Sequence, residues 1–172
     1  MKMKKAVRIL MVLVLALVMM IGIGFVYLYR NGMSGIANTS EAREGQIKIA
    51  CVGDSVTYGH GTSSWPNNTY PALLQNMLGE SYHVNNYGVS GSRFAAQRIN
   101  TGERHEAHFC MRMEEMDESA DAVVVFGGTN DYGHGDAPLG AFTDRTSDTF
   151  YGACHVLMGG LVRRYCGKPI VI

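Results

Sequence analysis

Ile47-Lys48-Ile49-Ala50-Cys51-Val52-Gly53-Asp54-Ser55-Val56-Thr57-Tyr58-Gly59 is the stretch on which the reading of this chain turns. A mostly apolar run, Ile47 to Val52, ends in Gly53-Asp54-Ser55, and a strand that stops in a tight Gly turn can hold one hydroxyl at the mouth of a cleft. In open α/β sheets ligands bind at the carboxyl ends of the strands, and a helix starting just after the turn aims its N–H groups at an anion there. The same three residues also serve an ordinary βα turn in which Ser55 only caps the next helix.

Two later stretches separate these readings. Asn86-Tyr87-Gly88-Val89-Ser90-Gly91-Ser92 follows a second strand-like run, Tyr82 to Tyr87, and Gly127-Gly128-Thr129-Asn130-Asp131 follows a third, Ala122 to Phe126. With the three blocks in this order, the chain from about Ile47 onward resembles the SGNH (GDSL-like) hydrolase superfamily. The resemblance implies a three-layer, flavodoxin-like α/β fold, a parallel sheet with helices on both faces. It implies Ser55 as nucleophile, an oxyanion hole formed by the Ser55 and Gly91 N–H groups and the Asn130 amide, and no cofactor. Asp54 and His134 are assigned to the substrate pocket.

Ester hydrolysis by a serine also needs a base to take the hydroxyl proton. In the family this is a His in an Asp-x-x-His block after the last strand, and the residues given stop at Ile172, before that point. The expectation is a domain incomplete at its C-terminus, unstable and nearly inactive as it stands, with its base absent. Asp131-Tyr132-Gly133-His134 has the spacing of that block but abuts Asn130 on the third loop, so His134 is read as a pocket or loop residue. His105 and His108 form one His pair without further ligands and are read as a solvated helix face, not a metal site.

Outside the blocks, Tyr70 to Leu78, Arg93 to Ile99, Ala107 to Met116 and a segment from Ser147 or Asp148 to about Cys166 are expected to be helical. Ala122 to Phe126 has the continuous apolar run of a strand buried on both faces. Pro169 to Ile172 begins a fourth strand. Strands alternating with helices predict a parallel sheet. Gly159-Gly160 should weaken the last helix by about 1 kcal/mol per Gly relative to Ala.

The 172 residues are 47% hydrophobic and 17% charged, which suits one domain plus an apolar segment. That segment is Ile9 to Tyr29, twenty-one residues without a charge, where about 20 suffice to span a bilayer. Lys2, Lys4, Lys5 and Arg8 precede it, so the positive-inside rule leaves residues 1–8 in the cytoplasm, makes 9–29 a signal anchor and exports the domain. The alternative, a cleaved signal peptide, also exports it. Residues 30–45 read as a polar tether, and the domain runs from Gln46. Beyond residue 45 nine Lys/Arg face thirteen Asp/Glu, a net −4 that argues against nucleic acid as a partner. Cys51, Cys110, Cys154 and Cys166 allow three complete disulfide pairings in an exported domain. Their spacings do not suggest zinc, and Cys51 on the first strand is read as a buried small apolar residue.

The expected function is therefore a membrane-tethered, outward-facing ester hydrolase acting on a small ester or an acylated carbohydrate. The alternative is a non-catalytic binding module of the same fold. A nucleotide-binding domain is disfavoured because the first turn lacks both Gly-x-Gly-x-x-Gly and a Gly-Lys-Ser/Thr end.

Overall fold

A four-stranded, all-parallel sheet is the frame on which the three blocks are mounted. The computed structural model describes residues 39–99 and 107–172, together with Met19. The chain divides into a unit of residues 1–33 and a unit of residues 34–172, and the sheet belongs to the second. Apart from Met19, the expected span 9–29 lies outside the described residues, among which no helix is long and apolar enough to cross a membrane.

The strands are β1 (Ile47–Gly53), β2 (Tyr82–Gly88), β3 (Ala122–Phe126) and β4 (Ile170–Val171), in spatial order β2-β1-β3-β4. The helices are α1 (Ser55–Tyr58), α2 (Tyr70–Leu78), α3 (Phe109–Arg112) with a 3-10 turn at Met113–Glu115, α4 (Thr129–His134) and α5 (Phe150–Arg164). Thr69 and Thr149 cap α2 and α5 through their hydroxyls, each accepting from the backbone N–H three residues on.

Side chains alternate across a strand, so β1 faces two layers. Ala50 and Val52 join Tyr87, Val123 and Val125 in the main core, packed against Phe109, Ala153, Leu157 and Leu161 of α3 and α5. Cys51 points the other way, fully buried. On this second face β3 is less covered than its apolar run implied: Val124 is half-buried and Phe126 is 49% exposed, with Tyr70 tilted against it.

Two other expectations are corrected. Residues 93–99 form no helix, because acceptors distant in sequence take their N–H groups: Asp131 accepts from Phe94 and Ala95, Asp136 from Arg98 and Ile99, and the Ser147 carbonyl from Ala96. The helix expected over 107–116 shrinks to α3 and the 3-10 turn, with His108 as its N-cap residue. Ser40 bonds to β2, where Asn85 accepts from the Ser40 N–H at 2.9 Å and donates to the Ser40 carbonyl at 3.2 Å.

All four cysteines are free thiols, so none of the three disulfide pairings is present. Burial pushes the Cys51 and Cys110 thiols up to about 12.

Candidate active site

The strand register brings the three blocks to one level. Gly53 pairs with Gly88 on one side and with Phe126 on the other, so β1, β2 and β3 run out together. Gly88 must lack a side chain there, because a Cβ would fall onto the Tyr58 backbone N of α1. Asn86 locks the same junction, its amide donating to the Thr57 carbonyl at 2.7 Å and its Oδ1 accepting from the Gly88 N–H at 2.8 Å.

Ser55 is the first residue of α1 and half-buried. Because α1 has only four residues, it brings individual N–H groups to the turn and little of a long helix's dipole. Asp54 is its N-cap, with Oδ1 accepting from the Val56 N–H at 2.9 Å. Asp54 is 0% exposed and so offers no surface to a substrate, contrary to the pocket role expected of it. Burial raises its carboxyl above the ordinary range, opposed by the Val56 N–H and by the charge of Arg112.

In the second block the Val89 N–H donates to the Gly53 carbonyl at 3.0 Å, and Gly91 turns the chain at φ +82°. That backbone angle favours Gly over residues with a Cβ. Among the described residues neither the Ser55 N–H nor the Gly91 N–H has a hydrogen-bond partner. Asn130, in the first turn of α4, donates from Nδ2 to the Ser92 carbonyl at 3.0 Å. An amide nitrogen carries two hydrogens, so one remains for a ligand.

Asp131 is occupied elsewhere. Its two oxygens accept from the Phe94 and Ala95 N–H groups at 2.9 and 3.0 Å, and burial raises its carboxyl. A carboxylate so engaged is not orienting an imidazole three residues on. His134 lies exposed at the end of α4, where its carbonyl accepts from Arg93. His108 is half-buried and not on a solvated face, its Nδ1 has no partner among the described residues, and burial lowers its pKa against the opposing pull of Asp148. His105 lies outside the described residues. Among the described residues no cluster of His, Cys, Asp or Glu could hold a metal ion.

Arg112 was missed in the sequence. It is 2% exposed, and its guanidinium donates to the Gly53 carbonyl at 3.2 Å, to Ser92 Oγ at 2.6 Å and to the Tyr87 carbonyl. Nothing local in Phe-Cys-Met-Arg-Met distinguishes it from a surface arginine. A cavity of about 460 Å³ opens beside α4, walled by Ala95, Asp131, Tyr132, Ala137, Leu139 and Phe150. Ser55 does not line it.

This geometry agrees with what the chain is similar to. The profile of the GDSL-like Lipase/Acylhydrolase family matches residues 51–165. The chain belongs to that family. An acetylxylan esterase from Xylanibacter ruminicola is 36% identical over 89 residues, which is 52% of this chain and 18% of that protein. A crystal structure of a Lactobacillus plantarum protein is 30% identical, with a TM-score of 0.56 over 74% of this chain and 55% of its own. The SGNH-hydrolase family esterase AlinE4 shares the fold, at 24% identity and a TM-score of 0.50, over 77% of this chain and 59% of its own. This family member thus spans less than a fifth of the esterase and just over half of the L. plantarum chain.

Proposed function

We propose that this chain carries the nucleophile and oxyanion hole of a serine ester hydrolase that removes acetyl or other small acyl groups from carbohydrate, on a domain displayed outside the cell membrane. One observation carries the reading. Two vacant backbone N–H groups, of Ser55 and Gly91, and one Asn130 amide seated against Ser92 stand on three turns that the sheet register holds level.

In this mechanism Ser55 Oγ attacks the acyl carbon while a base takes its proton. The Ser55 and Gly91 N–H groups and the free Asn130 amide hydrogen hold the resulting oxyanion. Collapse expels the alcohol, which takes the proton back from the base, and water then hydrolyses the acyl-serine by the same route. Neutral donors suit the oxyanion, since they need no deprotonation and are fixed before the charge develops. In the SGNH superfamily that the chain resembles, this base is the His of an Asp-x-x-His block that follows the last strand. The carbohydrate assignment draws on the acetylxylan esterase likeness, and the outward location on the basic residues that precede the uncharged run 9–29.

The test uses the full-length protein with acetylated xylan and p-nitrophenyl acetate, wild type against Ser55→Ala. Acetate release that disappears with Ser55 is the expected result, and release unchanged by Ser55→Ala refutes it. Binding of acetylated xylan without any release favours the non-catalytic module. Protease treatment of intact cells should remove the domain; its protection would refute the outward orientation.

A further inference from the structure

We propose that Arg112 is a positioning residue of the active site, the tie that holds the nucleophile turn and the oxyanion turn in one geometry; this rests on the serine-esterase reading above. Its guanidinium reaches two strand ends and one loop. Nη1 donates to the carbonyl of Gly53, two residues before Ser55, and to Oγ of Ser92, the neighbour of Gly91, while Nη2 donates to the carbonyl of Tyr87 at the end of β2.

Ser92 is thereby fixed at both ends. Arg112 holds its hydroxyl and the Asn130 amide is held on its carbonyl, so an unbroken chain of hydrogen bonds runs from Gly53 through Arg112 and Ser92 to Asn130. Ser92 Oγ also lies 3.5 Å from the Gly53 carbonyl, and the Val89 N–H bonds that same carbonyl. The Phe109 ring lies against the guanidinium itself, its centroid 5.1 Å from the guanidinium carbon.

Burying a charge is an expensive way to gain stability, because desolvation offsets most of the attraction. A planar fork offers something a neutral side chain does not, several donors in fixed mutual directions. Here those directions set where the Gly91 N–H and the Asn130 amide stand relative to Ser55. Donors of this kind act mainly on the transition state, so disturbing them lowers kcat and leaves KM nearly alone.

The experiment compares wild type, Arg112→Lys, Ser92→Ala and Ser55→Ala in the full-length protein on p-nitrophenyl acetate. Active sites are counted by fluorophosphonate labelling of Ser55, so that kcat is expressed per reactive serine and not per milligram. Arg112→Lys, which keeps the charge but loses the fork, should lower kcat per labelled site on the order of 10²-fold, the cost of a misplacement of about 1 Å. Ser92→Ala keeps the carbonyl under Asn130 and removes the hydroxyl that accepts from Arg112 and lies 3.5 Å from the Gly53 carbonyl; it should lower kcat about 10-fold, and the double variant should add little, since both changes cut one link. Unchanged kcat per labelled site in both single variants, with only a lower melting temperature, overturns the proposal and makes Arg112 a stabiliser. Should Arg112→Lys fail to fold, Ser92→Ala decides by the same criterion. Turnover that survives Ser55→Ala overturns the esterase reading and this inference together, whereas Ser55-dependent turnover indifferent to Ser92 and Arg112 overturns this inference alone.

Discussion

The Asn130 side-chain amide donates to the Ser92 carbonyl at 3.0 Å, which fastens the third turn to the second and leaves one amide hydrogen uncommitted. Removing that amide should therefore do two things at once, deleting an oxyanion donor and releasing Ser92. Asn130→Ala should lower kcat by about 10²–10³-fold, the range for loss of one oxyanion donor. Asn130→Asp should be at least as damaging, because a carboxylate would face both the oxyanion and the Ser92 carbonyl with lone pairs. His134→Ala should retain most of the rate, since the imidazole lies exposed at the end of α4 and the Asp131 oxygens are taken by Phe94 and Ala95. Steady-state kinetics on p-nitrophenyl acetate checks all three, and a His134→Ala loss equal to that of Ser55→Ala would make His134 the base.

Gly88→Ala tests how tightly α1 sits on the end of β2. The added methyl would land on the Tyr58 backbone, which cannot swing aside as a flexible side chain could. Overpacking of this kind costs about 1–3 kcal/mol and sometimes more, and the Asn86 bonds to Thr57 and Gly88 would be strained with it. A fall of at least about 2 kcal/mol in the urea-unfolding free energy is expected. Unchanged stability would mean that α1 can lift off β2 freely.

The frame of the site was legible and its fastenings were not. β1 is a mostly apolar run and β3 a continuous one, each stopping at a glycine, a pattern contained within a few neighbouring residues, and both form strands where expected. Residues 93–99 have the composition of a helix, yet the carboxylates that claim their N–H groups belong to Asp131 and Asp136, 36 to 38 residues away in sequence. No local window contains that competition. Arg112 escaped for a similar reason, since its three acceptors lie on segments 20 to 59 residues distant. Asp131 was legible only as half of an Asp-x-x-His; in the structure its two oxygens accept from the Phe94 and Ala95 N–H groups.

Gly159 and Gly160 looked equally wasteful in a helix, and the structure separates them. A methyl at Gly159 would meet only the exposed end of Arg163, at 3.3 Å, whereas at Gly160 it would run into the Met113 thioether. Gly159→Ala should therefore gain most of the helix-propensity difference, about 0.8–1.0 kcal/mol. Gly160→Ala should gain little or lose, because Met113 has to move. Thermal unfolding of the two single variants checks the contrast, and equal gains would show that Met113 has room to spare.

Acid should act on two sets of carboxylates in opposite senses. Asp117 and Asp121 lie below the ordinary carboxylate range, held there chiefly by hydrogen bonds from Ser119 and Lys168 respectively. Each contributes stability above its unfolded-state pKa, and that contribution is lost as pH falls through the lowered folded value. Asp131 is raised instead, chiefly by burial, with the Ala95 and Phe94 N–H groups and Arg93 opposing. A raised folded value means that the native state binds the proton more readily than the unfolded chain. Its contribution is full below the unfolded-state pKa and lost as pH rises through the folded one. Urea titrations between pH 7 and 3 should thus show a shallower acid loss of stability for Asp117→Asn or Asp121→Asn than for wild type, and a steeper one for Asp131→Asn. Protonation of Asp131 nevertheless turns one of its two acceptors into a hydroxyl and should loosen Phe94 and Ala95 while the domain is still folded. Amide exchange at those two positions should then quicken at a higher pH than the global unfolding transition, and exchange that rises only with global unfolding would show that Asp131 is not what holds the loop.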